Sequence, residues 1–174
     1  MIVTLDGPSG SGKTTQREIF KNRYGFAAEW QSSGTHFDSS TLLQCLDRWS
    51  YSSTNIMTDH FWDVVVRLTK SECFNRSLIQ MLETIEYYGI PHVSVILHSP
   101  LSVCGPRVIE RDVAEMPERA AKYRNMLKNQ PLDDCLLSRW TTISHVFCNA
   151  YMLDASLPVE SVTQSILELI EKHS

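Results

Sequence analysis

GPSGSGKTT, residues 7–15, is the stretch whose reading decides the fold of this chain. Gly7 through Thr14 match the pattern G-x-x-x-x-G-K-[ST] at every fixed position. Glycines in such a run let successive backbone N–H groups turn inward and form a nest for an anion. A helix starting at the run adds the positive end of its dipole. Lys13 supplies a point charge for the β- and γ-phosphates, and the Thr14 hydroxyl is a ligand for Mg²⁺. The phosphate-binding residues are therefore Gly7, Ser9, Gly10, Ser11, Gly12, Lys13, Thr14 and Thr15.

The flanks give the loop its context. Met1 to Leu5 is a short apolar, β-branched run and reads as a buried strand. Thr14 to about Tyr24 reads as a helix closed by Gly25. Strand, glycine loop and helix in that order are the setting of a P-loop. Further along, Phe26–Trp30 is expected to be a second strand and Leu42–Leu46 a third, ending at Asp47-Arg48-Trp49. Between them lies QSSGTHFDSST, a polar connector without helical pattern. Amphipathic spacing predicts helices over about 58–70 and 71–88. His92–His98 is the clearest strand. Helices are expected from Pro100 to about Arg111, over 117–128 and over 131–145. A last strand at Phe147–Leu153 precedes a last helix at Pro158–Lys172. Strands alternating with helices imply a single α/β domain over residues 1–174, with the site at the carboxyl ends of the strands. The expected class is the P-loop NTPase fold, three layers α/β/α around a five-stranded parallel sheet.

The length, 174 residues, suits one domain with a substantial core. A net charge of −4 argues against a strong global field for nucleic acid, though not against a local basic groove. The 5 cysteines are scattered and never spaced as CxxC, as expected of reduced thiols. No apolar run approaches the roughly 20 residues of a membrane span, and nothing reads as a signal peptide, so a cytoplasmic protein is expected. No Asn-Lys-x-Asp run is present to read guanine, which counts against a GTPase. A small chain with arginines after its fourth strand suits a kinase, whose lid closes over the phosphates and excludes water.

Leu46-Asp47-Arg48-Trp49 resembles the Asp-Arg motif that ends the third strand in the thymidylate kinase and deoxynucleoside kinase group. Val93–Pro100, followed by Arg107 and Arg111, is similar to the group's fourth strand and its lid arginines, here a lid of about 104–130. Tyr151–Ser156 is similar to its last strand and the turn that borders adenine, which implies roles for Asp154 and Ala155. Glu29 falls where the group carries a catalytic or metal-linked glutamate. The resemblance implies ATP and Mg²⁺ as cofactors. It implies Asp47 at the metal, directly or through water, and Lys13, Asp47, Glu29, Arg48, Arg107 and Arg111 as the catalytic set.

Thymidylate kinases carry two helices where this chain has QSSGTHFDSST, so their closed monophosphate pocket is expected to be missing. An open site fits a large acceptor. The chain in this respect resembles virus-encoded kinases that phosphorylate 5-hydroxymethyluracil within DNA, which implies a viral protein in the host cytoplasm. Trp30 and Trp49 are candidate stacking surfaces for a base taken out of the stack. Arg48 is a candidate substrate-binding residue, and Arg67, Lys70 and Arg76 could extend a local groove. An alcohol acceptor needs a base. Glu29 and Asp47 lead, with Asp38 and His36 behind them. The acceptor is then a pyrimidine deoxynucleotide in DNA or, alternatively, a free deoxynucleoside monophosphate; a non-catalytic nucleotide switch is the third reading. Partners are ATP and that acceptor, without a membrane, in a monomer or homodimer.

Overall fold

A computed structural model of the chain describes residues 1–30, 39–61, 92–129 and 149–174, together with the isolated positions Glu83 and Tyr87. The elements are β1 (Ile2–Asp6), α1 (Lys13–Tyr24), β2 (Ala27–Trp30), α2 (Ser39–Ser50), β3 (Ile56–Asp59), β4 (His92–His98), α3 (Leu101–Glu115), α4 (Pro117–Asn129), β5 (Ala150–Asp154) and α5 (Val159–Lys172). The five strands form one sheet in the order β2-β3-β1-β4-β5, and every pair is parallel. This is the expected α/β class with its five-stranded parallel sheet.

β1 lies at the centre, hydrogen-bonded to β3 on one side and to β4 on the other. Central position explains its composition: all five residues are buried, with no polar–apolar alternation. Val3, Leu5, Met57, Val93, Val95 and Leu97 pack against Phe20 of α1 and Val162, Ile166 and Ile170 of α5 in one apolar cluster. Within the sheet, the buried Thr4 hydroxyl donates to Ser94 Oγ at 3.2 Å.

α1 ends as its sequence dictates. Gly25 takes φ 71° and its N–H reaches Phe20 O, the left-handed stop that glycine accepts without strain. α1 and α5 are tied by Gln16, whose side-chain amide donates to Val159 O at 3.0 Å and accepts from the Thr163 hydroxyl at 2.8 Å.

The expected third strand at Leu42–Leu46 is not a strand. Residues 39–50 form helix α2, and the third strand is Ile56–Asp59. Leu42, Leu46 and Trp49 stand at i, i+4 and i+7, a helical stripe. Leu46 and Trp49 are buried while Gln44, Asp47 and Arg48 are exposed. β3 escapes notice because it has only four residues, all buried, and its last two, Thr58 and Asp59, also look like the start of the helix to which Phe61 belongs. Of the connector QSSGTHFDSST, residues 39–41 begin α2, and residues 31–38 lie outside the described residues. The helices expected over 71–88 and 131–145, most of that over 58–70, and Arg67, Lys70 and Arg76 with them, lie outside the described residues apart from Glu83 and Tyr87, both helical.

Candidate phosphate-transfer site

The glycine loop leaves β1 at its carboxyl end and enters α1. Gly7, Gly10 and Gly12 have φ of 137°, 83° and 88°, values that side-chain-bearing residues rarely adopt. Two of these positions also lack room for a Cβ. One at Gly7 would lie 2.3 Å from Leu97 O, and one at Gly10 would lie 2.5 Å from Cys104 O. No side chain caps α1, and its own ladder begins with Gln16 N–H to Gly12 O at 3.0 Å. The end of the helix is thus turned toward the loop as an anion site. Lys13 is buried and its ammonium donates to Gly7 O at 2.9 Å and Pro8 O at 2.8 Å, folded over the loop it serves.

Above the loop opens a cleft of about 850 Å³. Residues 9–16 line its floor, His60 and Ala155 its sides, and Arg107, Arg111, Arg119, Lys122 and Tyr123 its roof. Leu157, Val159 and Met116 give it an apolar rim, each 41–49 % exposed. Arg107 reaches across from α3, with its Nη1 3.4 Å from both Gly10 O and Ala155 O. Arg119 reaches from α4 and donates to Ser9 Oγ at 2.8 Å. Cations on both arms and Lys13 on the floor converge on one space, which is how a protein stabilises several phosphate charges at once.

Beside the loop, Asp59 at the carboxyl end of β3 accepts from the Thr14 hydroxyl at 3.4 Å and from Arg17 Nη1 at 2.9 Å. Its side chain is fully buried. A hydroxyl and a carboxylate are hard oxygen donors of the kind Mg²⁺ takes when substrate phosphates supply further ligands. The residues present fit a magnesium ion at Thr14 and Asp59. His60, next in the chain, has φ 64° and is the one positive-φ residue other than glycine among the described residues. Such strain costs about 1–3 kcal/mol and gathers at functional sites.

The residues foreseen from sequence divide sharply. Ser9, Gly10, Ser11, Gly12, Lys13, Thr14, Thr15, Arg107, Arg111 and Ala155 line the cleft, and Gly7 supplies a carbonyl to Lys13. Asp154 is turned elsewhere. Its carboxylate accepts from the Ser156 hydroxyl at 2.5 Å and the Ser156 N–H at 2.8 Å, and these bonds hold it below the usual carboxylate range. Asp47 does not sit at a strand end. It is exposed on α2, and the carboxylate beside Thr14 is Asp59. Arg48 is likewise on α2, where its guanidinium pairs with Glu29 of β2 at 2.5 Å. Trp49 is no stacking surface. It is 3 % exposed and packs on Phe61 with ring centroids 5.9 Å apart. The Trp30 side chain, His36 and Asp38 lie outside the described residues.

Asp59, Arg17, His60, Arg119, Lys122 and the buried Asp112 were not foreseen. Asp59 had a legible signal, an acid two residues after the apolar pair Ile56-Met57. Arg119 and Lys122 had none beyond membership of a polar helix.

No family model and no curated protein matches the chain. Solved structures do. A deoxyadenosine kinase from M. mycoides with bound dATP superposes with a TM-score of 0.57 at 13 % identity, over 98 % of this chain and 100 % of that one. The YorR protein from Bacillus subtilis in complex with phosphorylated GDP gives 0.58 at 18 % identity, over 98 % and 96 %. A gluconokinase from Sinorhizobium meliloti 1021 gives 0.54 at 14 % identity, over 98 % and 91 %. The chain has the P-loop kinase fold that these proteins share. Among the described residues, no helix is long and apolar enough to cross a membrane.

Proposed function

We propose that the chain is an ATP- and Mg²⁺-dependent kinase that transfers the γ-phosphoryl group to a free deoxynucleoside or deoxynucleoside monophosphate. One observation carries the reading. Lys13, Arg107, Arg111, Arg119 and Lys122 converge from three helices on the glycine loop, beside the Thr14–Asp59 oxygen pair. Neighbours of the same fold, a deoxyadenosine kinase with bound dATP and YorR with phosphorylated GDP, support it.

The acceptor oxygen attacks the γ-phosphorus in line, the bond to the β–γ bridging oxygen breaks, and ADP leaves. Thr14 and Asp59 would hold magnesium, which would neutralise charge on the donor phosphates. Lys13 and the loop N–H groups hold the donor phosphates. Arg107, Arg111 and Arg119 face the charge that spreads over the transferring group, and their arms exclude water. For an alcohol acceptor, Glu29 near the end of β2 takes the departing proton; for a monophosphate, Arg48 beside it is the phosphate partner.

A hydroxymethyl group of 5-hydroxymethyl-deoxyuridine in DNA is the second acceptor to test. Its case is a pocket missing between β2 and β3; helix α2 stands within that segment, which supports a small acceptor instead.

The test is incubation with γ-labelled ATP and a panel of deoxynucleosides, their monophosphates, plain DNA and DNA containing 5-hydroxymethyluracil. Label on a free nucleoside or nucleotide is expected. Label on modified DNA alone would replace the acceptor assignment. Lys13→Ala is expected to lower turnover by about 10²–10³-fold. ATP binding without transfer to any acceptor would leave a nucleotide switch instead of a kinase.

A further inference from the structure

We propose that Asp112 is a positioning residue that holds Arg111 and Arg119 by their Nε atoms, leaving their outer nitrogens to the donor phosphates. The inference rests on the kinase reading above.

Asp112 lies in the second half of α3, and its side chain is fully buried. Arg111 Nε stands 2.6 Å from one carboxylate oxygen, and Arg119 Nε stands 3.1 Å from the other. A buried carboxylate needs a counter-charge, and a single arginine gripping both oxygens side by side would supply one. The arrangement here is different. One carboxylate is divided between two arginines: Arg111 Nε donates a hydrogen bond to one oxygen, and Arg119 Nε lies beside the other as an ion pair, without a hydrogen bond to that oxygen. A guanidinium has five N–H donors in a rigid plane. Fixing Nε therefore aims the remaining donors without using them. For Arg119 the direction is visible, because its Nη2 donates to Ser9 Oγ in the phosphate loop. Arg111 lines the same cleft.

The connection also fixes one arm to the other. Asp112 belongs to α3 and Arg119 to the first turn of α4, and Met116 between the helices donates its N–H to Asp112 O at 2.8 Å. With Ser9 included, a continuous path Asp112–Arg119–Ser9 runs from the buried face of α3 to the glycine loop. Donors aimed before the substrate arrives need no reorganisation during transfer. Lysine at position 119 would keep the charge. Its single ammonium could not bridge Asp112 and Ser9 in the same plane.

The test uses the full chain and three variants, Arg119→Lys, Asp112→Asn and the double variant. Turnover of ATP on the active acceptor, equilibrium ATP affinity and thermal midpoint are measured together. Failure of the wild-type chain to turn ATP over would overturn the kinase reading, and this inference with it. With wild-type turnover in hand, each single variant is expected to lower kcat by about 10–100-fold. The double variant should be no slower than the slower single one, because the two residues act as a unit. Arg119 is 37 % exposed, so its lysine variant should hold the wild-type thermal midpoint and carry the test even if Asp112→Asn fails to fold. Wild-type kcat in Arg119→Lys, or losses that multiply in the double variant, would overturn the positioning role. A purely structural ion pair would move the thermal midpoint and leave kcat in place.

Discussion

Gly10 sets the closest approach between the phosphate loop and α3. An added Cβ would meet Cys104 O at 2.5 Å and Val108 Cγ2 at 2.9 Å, at a φ of 83°. The carbonyl is helix backbone and cannot step aside, so Gly10→Ala must move α3 or the loop. The left-handed conformation alone costs about 1–2 kcal/mol with a side chain present. We expect ATP affinity to fall at least about tenfold, read by calorimetry, with a lower thermal midpoint. A second residue-scale prediction separates Asp59 from Asp47. Asp59→Asn should raise the magnesium concentration needed for half-maximal turnover and cut kcat by about 10²-fold. Asp47→Asn should leave both within about twofold, since Asp47 is exposed on α2. Equal losses in the two variants would contradict the proposed placement of a metal beside Thr14. The loop residues were legible because each fixed position answers one physical demand of a phosphate. Arg119 was not legible, because nothing local distinguishes a cation that crosses a cleft from one that faces water.

At the scale of elements, the misread pair α2 and β3 shows what short segments conceal. Helix α2 has its stripe at Leu42, Leu46 and Trp49, yet its middle, Leu42 to Leu46, also satisfies the length and apolar content of a buried strand. β3 has four residues and no alternation, because both of its faces are covered. By contrast β4, α4 and α5 were legible. β4 has seven residues rich in valine, isoleucine and leucine, and α5 repeats apolar residues at helical spacing. Within α2, Trp49 packs its ring against Phe61, and among the described residues its buried indole N–H has no hydrogen-bond partner. Trp49→Phe removes both some volume and an unsatisfied donor, two effects of opposite sign. The expected shift in unfolding free energy is within about 1 kcal/mol, with kcat and acceptor KM unchanged, by denaturant titration and steady-state kinetics. A large rise in acceptor KM would return Trp49 to the substrate. The Glu29–Arg48 pair joins β2 to α2 at the surface, with Arg48 61 % exposed, so its worth to stability is about 0–1 kcal/mol. Arg48→Ala should therefore leave the thermal midpoint almost unmoved and, on the proposed role of Arg48 as the acceptor's phosphate partner, raise the acceptor KM.

For the whole molecule, acid stability follows from the buried carboxylate of α3. The hydrogen bond from Arg111 holds Asp112 below its ordinary value of 3.8, against the opposing effect of burial, and Arg119 adds to the lowering. A carboxylate lowered in the folded state contributes stability above its unfolded value. That contribution is lost as pH falls through the folded value. Thermal midpoints should hold near neutral pH and drop from about pH 4 downward. In Asp112→Asn the drop should be shallower, though from a lower starting point; an unchanged acid limb would assign it to other groups. The parallel sheet has a consequence of a different kind, for the order in which the molecule becomes functional during synthesis. β1 leaves the ribosome before either of its neighbours, and parallel partners cannot be supplied by a hairpin. Its pairing with β3 and with His92–His98 waits until those residues emerge, which at about 5–20 residues per second takes seconds. The glycine loop leans on Leu97 and Cys104 from that later chain. Nascent chains stalled before β4 should thus stay protease-sensitive and fail to retain ATP. The glycine loop is thus made well before the chain that gives it its shape.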